Sequence, residues 1–316
     1  MAGIRFSTSE DSLSEIRIAH VQVDPESART VAAVLDEGSF EAAARRLLLT
    51  PSAVSQRIKT LEQQLGRILL VRSKPAGATE AGEAVARFGR QIALLERDAI
   101  AGFGLSAEGE GARIRIPLAV NADSMATWFL APLARLSERY DVEFDLHRDD
   151  QNFTARLLES GTVMAAVTSE SEPVGGCRVE ALGALRYVAA ASPSFARRWF
   201  PDGVTAESLT RAPFVDFDRR DLLQQDWLRE RGVDPWPVPR HHVPASADFS
   251  VAVELGLGWA LLPVPHAEAG LADGRLVRLD DEEFASPLFW QQWNLRSELL
   301  EAIAAEIRAE ADRVLR

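Results

Sequence analysis

Seven basic side chains, Arg45, Arg46, Arg57, Lys59, Arg67, Arg72 and Lys74, fall within residues 40–75 and are opposed only by Glu41 and Glu62. A net charge of +5 in so short a window suits a surface that neutralises phosphates. Ser52, Ser55 and Gln56 stand among them, and their side chains can reach base edges in a DNA groove, while arginine and lysine can contact guanine or phosphate. Charge alone does not decide the matter, because a solvated helix face carries the same run. The elements that hold these side chains decide it.

Catalytic chemistry has much poorer material. The histidines are His20, His147, His241, His242 and His266, and no HExxH, GxSxG or glycine-rich phosphate loop occurs. The pair His241-His242 could ligate a metal, but adjacent surface or core histidines are commoner. Cys177, the one cysteine, follows Gly175-Gly176 without a histidine near it in sequence, and it excludes an internal disulfide framework and a Cys-rich zinc site. The residues point away from an enzyme and call for neither cofactor nor metal.

Stepping outward from the basic window, the chain reads as helical from Pro25 to Leu65. Asp24 can cap a first helix with Pro25 at its first position, running through Val31, Val34 and Leu35 to Gly38. Ser39 can cap a two-turn helix whose Phe40, Ala43, Ala44 and Leu47 share one face. Thr50 then caps a third, with Pro51 at its first position and Val54, Ile58 and Leu61 as its buried stripe. Two short helices joined by a tight turn, the second apolar inside and polar or basic outside, read as helix-turn-helix over residues 39–62. Ile68–Val71 followed by Arg72, Ser73, Lys74, Pro75 and Gly77 reads as a small hairpin with a basic tip. Beyond Thr79 a long helix carries Val85, Phe88, Ile92 and Leu95 at steps of 3, 4 and 3, the period of a coiled-coil seam, which predicts pairing with a second chain. The alternative is packing on the chain's own C-terminal part. Gly102, Gly104, Gly109 and Gly111 mark a linker.

The segment GSFEAAARRLLLTPSAVSQRIKTLEQQLGRILLVRSKPAGATEAG resembles the N-terminal domain of LysR-type transcriptional regulators along its length. The resemblance implies an α/β protein: an N-terminal winged helix-turn-helix, a dimerising linker helix and a C-terminal two-subdomain, periplasmic-binding-protein-like effector domain. It implies double-stranded operator DNA and RNA polymerase as partners, and a homodimer or homotetramer. Ser39, Thr50, Pro51, Ser52, Ser55, Gln56, Arg57, Lys59, Arg72 and Lys74 are the expected DNA-binding residues, with Val85, Phe88, Ile92 and Leu95 at the dimer interface. The extension before Pro25 is longer than usual and has no assigned role.

Residues 113–293 alternate strand-like and helix-like stretches, the pattern of an α/β domain. Strands are expected at 113–120, 142–146 and 164–168, with helices at 125–136 and 153–159. A second unit begins near Arg186–Ala190 and continues through Phe214–Phe217, a helix at Asp221–Arg231, Val251–Leu255 and a strand at Trp259–Leu262. Leu288–Trp293 should return to the first unit, and Ser297–Leu315 should close it as an amphipathic helix. Two such units leave a cleft where strand ends meet helix starts. Its candidate lining is Asn121, Asp123 and Ser124, where a ligand carboxylate would meet a helix start, with Thr168, Glu170, Asp216, Asp218, Ser246 and Asp248. Plain helix capping explains Asn121–Ser124 equally well.

The stretches IPLAVNADSMATWFLAPLA, AAVTSE, GCRVEALGALRYVA, FDRRDLLQ and GLGWALLP are similar to the lysine/arginine-sensing (LysG/ArgP-type) branch of that family. That likeness implies activation of a basic-amino-acid exporter gene by lysine or arginine. The chain departs from the branch at Ala76-Gly77, where the wing usually carries a further basic residue. It departs again at Ala245-Ser246-Ala247, where two hydroxyl residues and a glutamate are common, the acid here standing one place later as Asp248. A different small effector, or a solute-binding module without DNA function, are the competing readings.

Composition fits these expectations. The chain has 316 residues, 47% hydrophobic and 26% charged, which excludes wholesale disorder. No apolar run is long enough to span a membrane, and the first twenty residues lack the apolar stretch of a secretory signal, so a cytoplasmic protein is expected. The overall charge of −12 belongs to the C-terminal part, since residues 1–105 carry 13 basic and 13 acidic side chains. The expected domains are an extension at 1–24, a DNA-binding domain at 25–82, a linker at 83–111 and an effector domain at 112–316. Within the last, subdomain I covers about 112–184 and 285–316, and subdomain II about 185–284.

Overall fold

The computed structural model describes residues 22–71, 73–102, 114–148 and 151–315. Most of the N-terminal extension, Arg72 and the linker glycines Gly104, Gly109 and Gly111 lie outside the described residues. The chain divides into two compact units between Val85 and Ala86.

The first unit is built from three capped helices. In α1 (Pro25–Glu37) the Asp24 carboxylate accepts from the Ser27 amide at 2.9 Å. In α2 (Phe40–Arg46) the Ser39 hydroxyl accepts from Ala42 N at 3.2 Å, and in α3 (Pro51–Leu65) Thr50 accepts from Ala53 N at 3.1 Å. Each cap satisfies a backbone donor that the first helical turn leaves unpaired. Val31, Val34, Ala43, Ala44, Val54, Ile58 and Leu61 are buried between the helices, and the alanines permit close approach. The wing is a hairpin of β1 (Leu70–Val71) and β2 (Gly77–Ala78), antiparallel. It is fastened at both ends: Ala76 N donates to Gly38 O at 2.8 Å, and the Leu69 amide donates to the Glu62 carboxylate at 2.8 Å. Thr79 then caps α4 (Glu80–Gly102) through Gly82 N at 3.1 Å. A Cβ at Gly82 would overlap the Leu69 carbonyl, so only glycine lets the helix start this close to the wing.

The second unit is α/β. Its elements run β3 (Ile114–Val120), α5 (Ala122–Ser124), a π-helical turn (Met125–Phe129), α6 (Leu130–Arg139), β4 (Val142–Arg148), α7 (Gln151–Glu159), β5 (Ala165–Thr168) and β6 (Cys177–Ala191). They continue with α8 (Pro193–Trp199), α9 (Ala206–Arg211), β7 (Phe214–Asp216), α10 (Leu223–Glu230), β8 (Arg240–His242), α11 (Ser246–Glu254), β9 (Ala260–Pro263), α12 (Val264–Ala272), β10 (Val277–Trp293) and α13 (Glu298–Val314). Six strands form one sheet in the order β4-β3-β5-β10-β6-β9, and β7 with β8 forms a small parallel sheet. The strands β3, β4 and β5 are parallel, as expected where helices return each strand to the same edge, whereas β10 runs antiparallel to both β5 and β6.

The two long strands differ from the sequence reading. Expected at Arg186–Ala190 and Leu288–Trp293, they pair over most of Cys177–Ala191 and Val277–Trp293, with register shifts between Arg278 and Glu283 and between Leu288 and Phe289. The acidic stretch Asp280–Glu283 hid the first half of β10, because an exposed strand carries no apolar run. Helices α8, α9 and α12 and strand β8 had no counterpart in the sequence reading, and Val251–Leu255 belongs to the end of α11. The core gathers Trp128, Phe129, Trp227, Trp259, Trp290 and Trp293, all nearly solvent-free, whereas Trp236 is exposed. Among the described residues no helix is long and apolar enough to cross a membrane.

Candidate functional site

Two surfaces carry the residues singled out by the sequence. On the first, Pro51, Ser52, Gln56 and Lys59 are exposed along one face of α3, and Ser55 is half-buried beside them. Ser39 and Thr50 use their hydroxyls as helix caps. Arg57 differs from the others: its guanidinium donates to Thr30 Oγ1 at 3.2 Å and lies 3.6 Å from the Glu26 carboxylate, so its head group bonds α1. Thr30 in turn donates to Glu26 O at 2.7 Å, which makes these residues one small network between α1 and α3. Lys74 is exposed at the tip of the wing, and Arg72 lies outside the described residues. Arg45 and Arg67, which the sequence reading counted only as charge, are exposed on the same unit, while Arg46 is paired with Asp36 and Glu37 at 3.4 and 3.2 Å.

The stripe on α4 is unevenly covered. Val85 is buried and Ile92 half-buried, but Phe88 and Leu95 are each 40% exposed. Leu94, which the seam reading did not select, is buried in the core of the second unit.

The second surface is a cavity of about 460 Å³. The turn after β3 contributes Asn121 and Asp123, β4 contributes Arg148, and the central strands contribute Tyr187 and Ser286. The stretch around α10 contributes Asp218, Arg220, Asp221 and Gln224, with Phe217, Phe249, Leu261 and Phe284 as the apolar wall. Of the nine residues expected in an effector site, Asn121, Asp123 and Asp218 line it. Ser124, Thr168, Glu170, Asp216, Ser246 and Asp248 do not. The Ser124 amide is taken by Asn121 Oδ1 at 3.0 Å, and its hydroxyl is buried without a partner. Thr168 Oγ1 accepts from Glu170 N at 3.1 Å at the end of β5. Ser246 opens α11, and Asp248 is exposed on it. The sequence reading missed Arg148, Tyr187, Phe217 and Phe249; Phe217 had a signal, as the last residue of the stretch expected at 214–217, whereas Arg148 lies beyond the strand expected at 142–146.

Two carboxyls in this region are perturbed. Asp123 Oδ2 accepts the Tyr187 hydroxyl at 2.9 Å, and burial pushes its pKa up against the opposing effects of that bond and of His266. Burial, followed by the charge of Asp123, raises the Tyr187 phenol as well. Asp216 is solvent-free, accepts from Gln225 Nε2 at 3.0 Å and lies 3.7 Å from Arg240. Its pKa is pushed up to about 8 by burial and by Asp221, with Arg240 opposing. The Cys177 thiol is raised to about 11 by burial, which makes it a poor nucleophile near neutrality. His241 and His242 sit exposed in β8, and among the described residues no group of three or more potential ligands could hold a metal ion.

A winged helix-turn-helix followed by an α/β unit with a ligand-sized cavity defines a ligand-responsive DNA-binding regulator. Comparison with known proteins agrees. Residues 25–83 match the bacterial regulatory helix-turn-helix protein, lysR family, and residues 109–312 match the LysR substrate binding domain. The HTH-type transcriptional regulator LysG of Mycobacterium bovis is 45% identical over 295 residues, covering 93% of this chain and 96% of that protein. The lysine export transcriptional regulatory protein LysG of Corynebacterium efficiens is 42% identical over 86% of this chain and 92% of its own length. The solved structure of full-length LysG from Corynebacterium glutamicum with bound effector Arg superposes with a TM-score of 0.72 at 36% identity, covering 93% of this chain and 100% of that one. The chain belongs to the LysR family of transcriptional regulators; it is not an enzyme.

Asp216 yields a pH prediction. Its pKa is raised on folding from 3.8 to about 8, so the native state keeps a proton that the unfolded chain releases. The stability it contributes is full below the unfolded value and is lost as pH rises through about 8. Asp216→Asn should therefore show a smaller fall in Tm than the parent across this window, measured by thermal denaturation in a pH series.

Proposed function

We propose that this protein activates a basic-amino-acid exporter gene in response to lysine or arginine bound in the cavity. The observation that carries the reading is Asp123, a carboxyl in the cavity wall bonded by a neutral hydroxyl and, among the described residues, by no cationic side chain. The cationic end of the effector meets Asp123, its aliphatic stem lies along Phe249 and Leu261, and its carboxylate turns toward Arg148. This replaces the expected carboxylate position at Ser124, whose amide is already bonded. The relatives support the choice of ligand, one being named for lysine export and another holding arginine as effector. Effector binding acts on transcription if the ligand binds two conformations of the second unit unequally. In this reading the protein works in the cytoplasm, on operator DNA and with RNA polymerase.

On DNA, we assign base reading to Ser52, Ser55 and Gln56 and phosphate contact to Lys59, Arg72 and Lys74. Arg57 holds α3 against α1. Gln56→Ala should relax operator preference, at a cost of about 1–3 kcal/mol. Lys59→Ala should weaken all sequences alike and lower the salt slope by about one unit. Binding titrations over a salt series check both, and an unchanged slope for Lys59→Ala would remove it from the interface.

We assign the stripe Val85, Phe88, Ile92 and Leu95 to a homodimer seam, from which a tetramer can be built. Phe88 and Leu95 are large apolar groups left exposed in one chain, and fully burying such a side chain contributes about 1.5–3 kcal/mol. The double change Phe88→Asp, Ile92→Asp should give monomers in sedimentation velocity. A retained dimer would put the seam elsewhere.

The effector assignment predicts that calorimetry finds binding of lysine and arginine, and norleucine weaker by about ten-fold or more, since an unpaired buried carboxylate is costly. In Asp123→Asn that preference should disappear. Equal binding of norleucine by the parent protein would favour a different effector.

A further inference from the structure

The polar contact on which the cavity's carboxyl depends comes from the centre of the sheet. Tyr187 stands in β6, opposite Phe284 of β10 and Pro263 of β9, and those two residues also line the cavity. Tyr187 is 3% exposed and its ring belongs to the main core, so pairing on both strand edges fixes where the hydroxyl points. That hydroxyl donates to Asp123 Oδ2 at 2.9 Å, and among the described residues it is the one hydrogen-bond partner of this carboxyl's oxygens. The other charged groups around the pair and on the cavity wall are His266 on α12, whose Nε2 lies 3.4 Å from Ala126 O; Asp221 ahead of α10 and Asp226 on it; Arg148 at the end of β4; and Asp218 and Arg220.

Resting on the effector reading above, we propose that Tyr187 is the residue that sets the cavity's preference for basic over neutral amino acids, by holding one oxygen of Asp123 and leaving the other for the ligand's cation. The physical reason is the charge state of the carboxyl. Burial favours the neutral acid, and a neutral acid attracts a cation weakly. A hydrogen bond donated to the carboxylate opposes burial, as the directions at Asp123 show. Tyr187→Phe keeps the ring in the wall and removes only the donor. Arginine affinity should fall by about ten-fold, since a hydrogen bond to a charged group is among the stronger ones. Norleucine affinity should hold, and the pH below which arginine binding is lost should move upward.

The experiment is calorimetry on the full-length protein, with arginine and norleucine, for the parent, Tyr187→Phe, Asp123→Asn and the double variant, each over a pH series. The expected result is a reduced arginine-to-norleucine ratio and an upward-shifted pH profile in Tyr187→Phe, with no further loss when it is added to Asp123→Asn. A Tyr187→Phe variant with an unchanged ratio and profile overturns the proposal, and so does an equal loss of both ligands. If Asp123→Asn itself leaves the ratio unchanged, the effector reading fails; if it collapses the ratio while Tyr187→Phe does not, only the role of Tyr187 fails. A second measurement needs no cavity mutation. The chain has two tyrosines, Tyr140 and Tyr187, so ring-fluorinated tyrosine gives two signals, assigned with Tyr140→Phe. The fluorine resonance of Tyr187 should move with arginine and not with norleucine, and no movement with arginine overturns the proposal.

Discussion

The antiparallel ladder between β6 and β10 is the constraint on which the second unit depends. The two strands pair from Cys177 opposite Trp293 to Ala191 opposite Val277, and the sheet attaches β5, β3 and β4 on one side and β9 on the other. Side chains alternate across a strand, so a slip of one residue would send Tyr187 to the opposite face and expose Trp290 or Trp293. The register is held by burial of those tryptophans; within β10 the Trp290 indole donates to Gln292 Oε1 at 2.7 Å. Gly183 shows how tightly the ladder is packed: a Cβ there would overlap the Leu315 carbonyl, which already accepts from Ala184 N at 3.1 Å. The cavity walls contributed by Tyr187, Phe284 and Ser286 follow from this pairing and not from loops.

The electrostatics of the chain divide in the same way as its function. A basic cluster on an acidic protein confines phosphate attraction to one unit, and the surplus of acid elsewhere discourages nonspecific nucleic-acid binding. In the second unit the acids are used differently. Asp216 is sealed from solvent and holds its proton to about pH 8, which makes it a structural acid rather than a binding one. Asp123 faces the cavity with a single hydroxyl donor, a setting in which an incoming cation gains the most. On the proposed reading, the same burial that makes the empty site costly makes it selective.

Much of this was legible in the sequence where one local rule acts alone. Asp24, Ser39 and Thr50 cap helices because hydroxyl and carboxylate oxygens before a helix start meet free amides, and a proline or an apolar stripe follows each. The buried stripe Val54, Ile58 and Leu61 and the long helix after Thr79 were equally plain. Long-range geometry was not. The acids after strands were visible as acids, yet nothing in Asp216 or Asp123 says which will be sealed under Arg240 and Gln225 and which will face a cavity. Arg57 lies on a polar helix face by spacing, and only the approach of α1 commits it to Thr30 and Glu26. The first half of β10 was hidden because its exposed residues are charged, and the π-helical turn beside Asp123 has no sequence rule that would have placed it.

The central claim is that a cation enters beside a cavity-wall carboxyl, that of Asp123, whose pKa is raised by burial. Calorimetry of arginine binding in buffers of different ionisation enthalpy, on the acid side of neutrality, tests it most directly. The account predicts net release of protons on binding, growing as the pH is lowered toward the raised pKa of Asp123 and lost in Asp123→Asn. Arginine binding without proton release, or a release that persists in Asp123→Asn and so comes from another group such as His266, would contradict it.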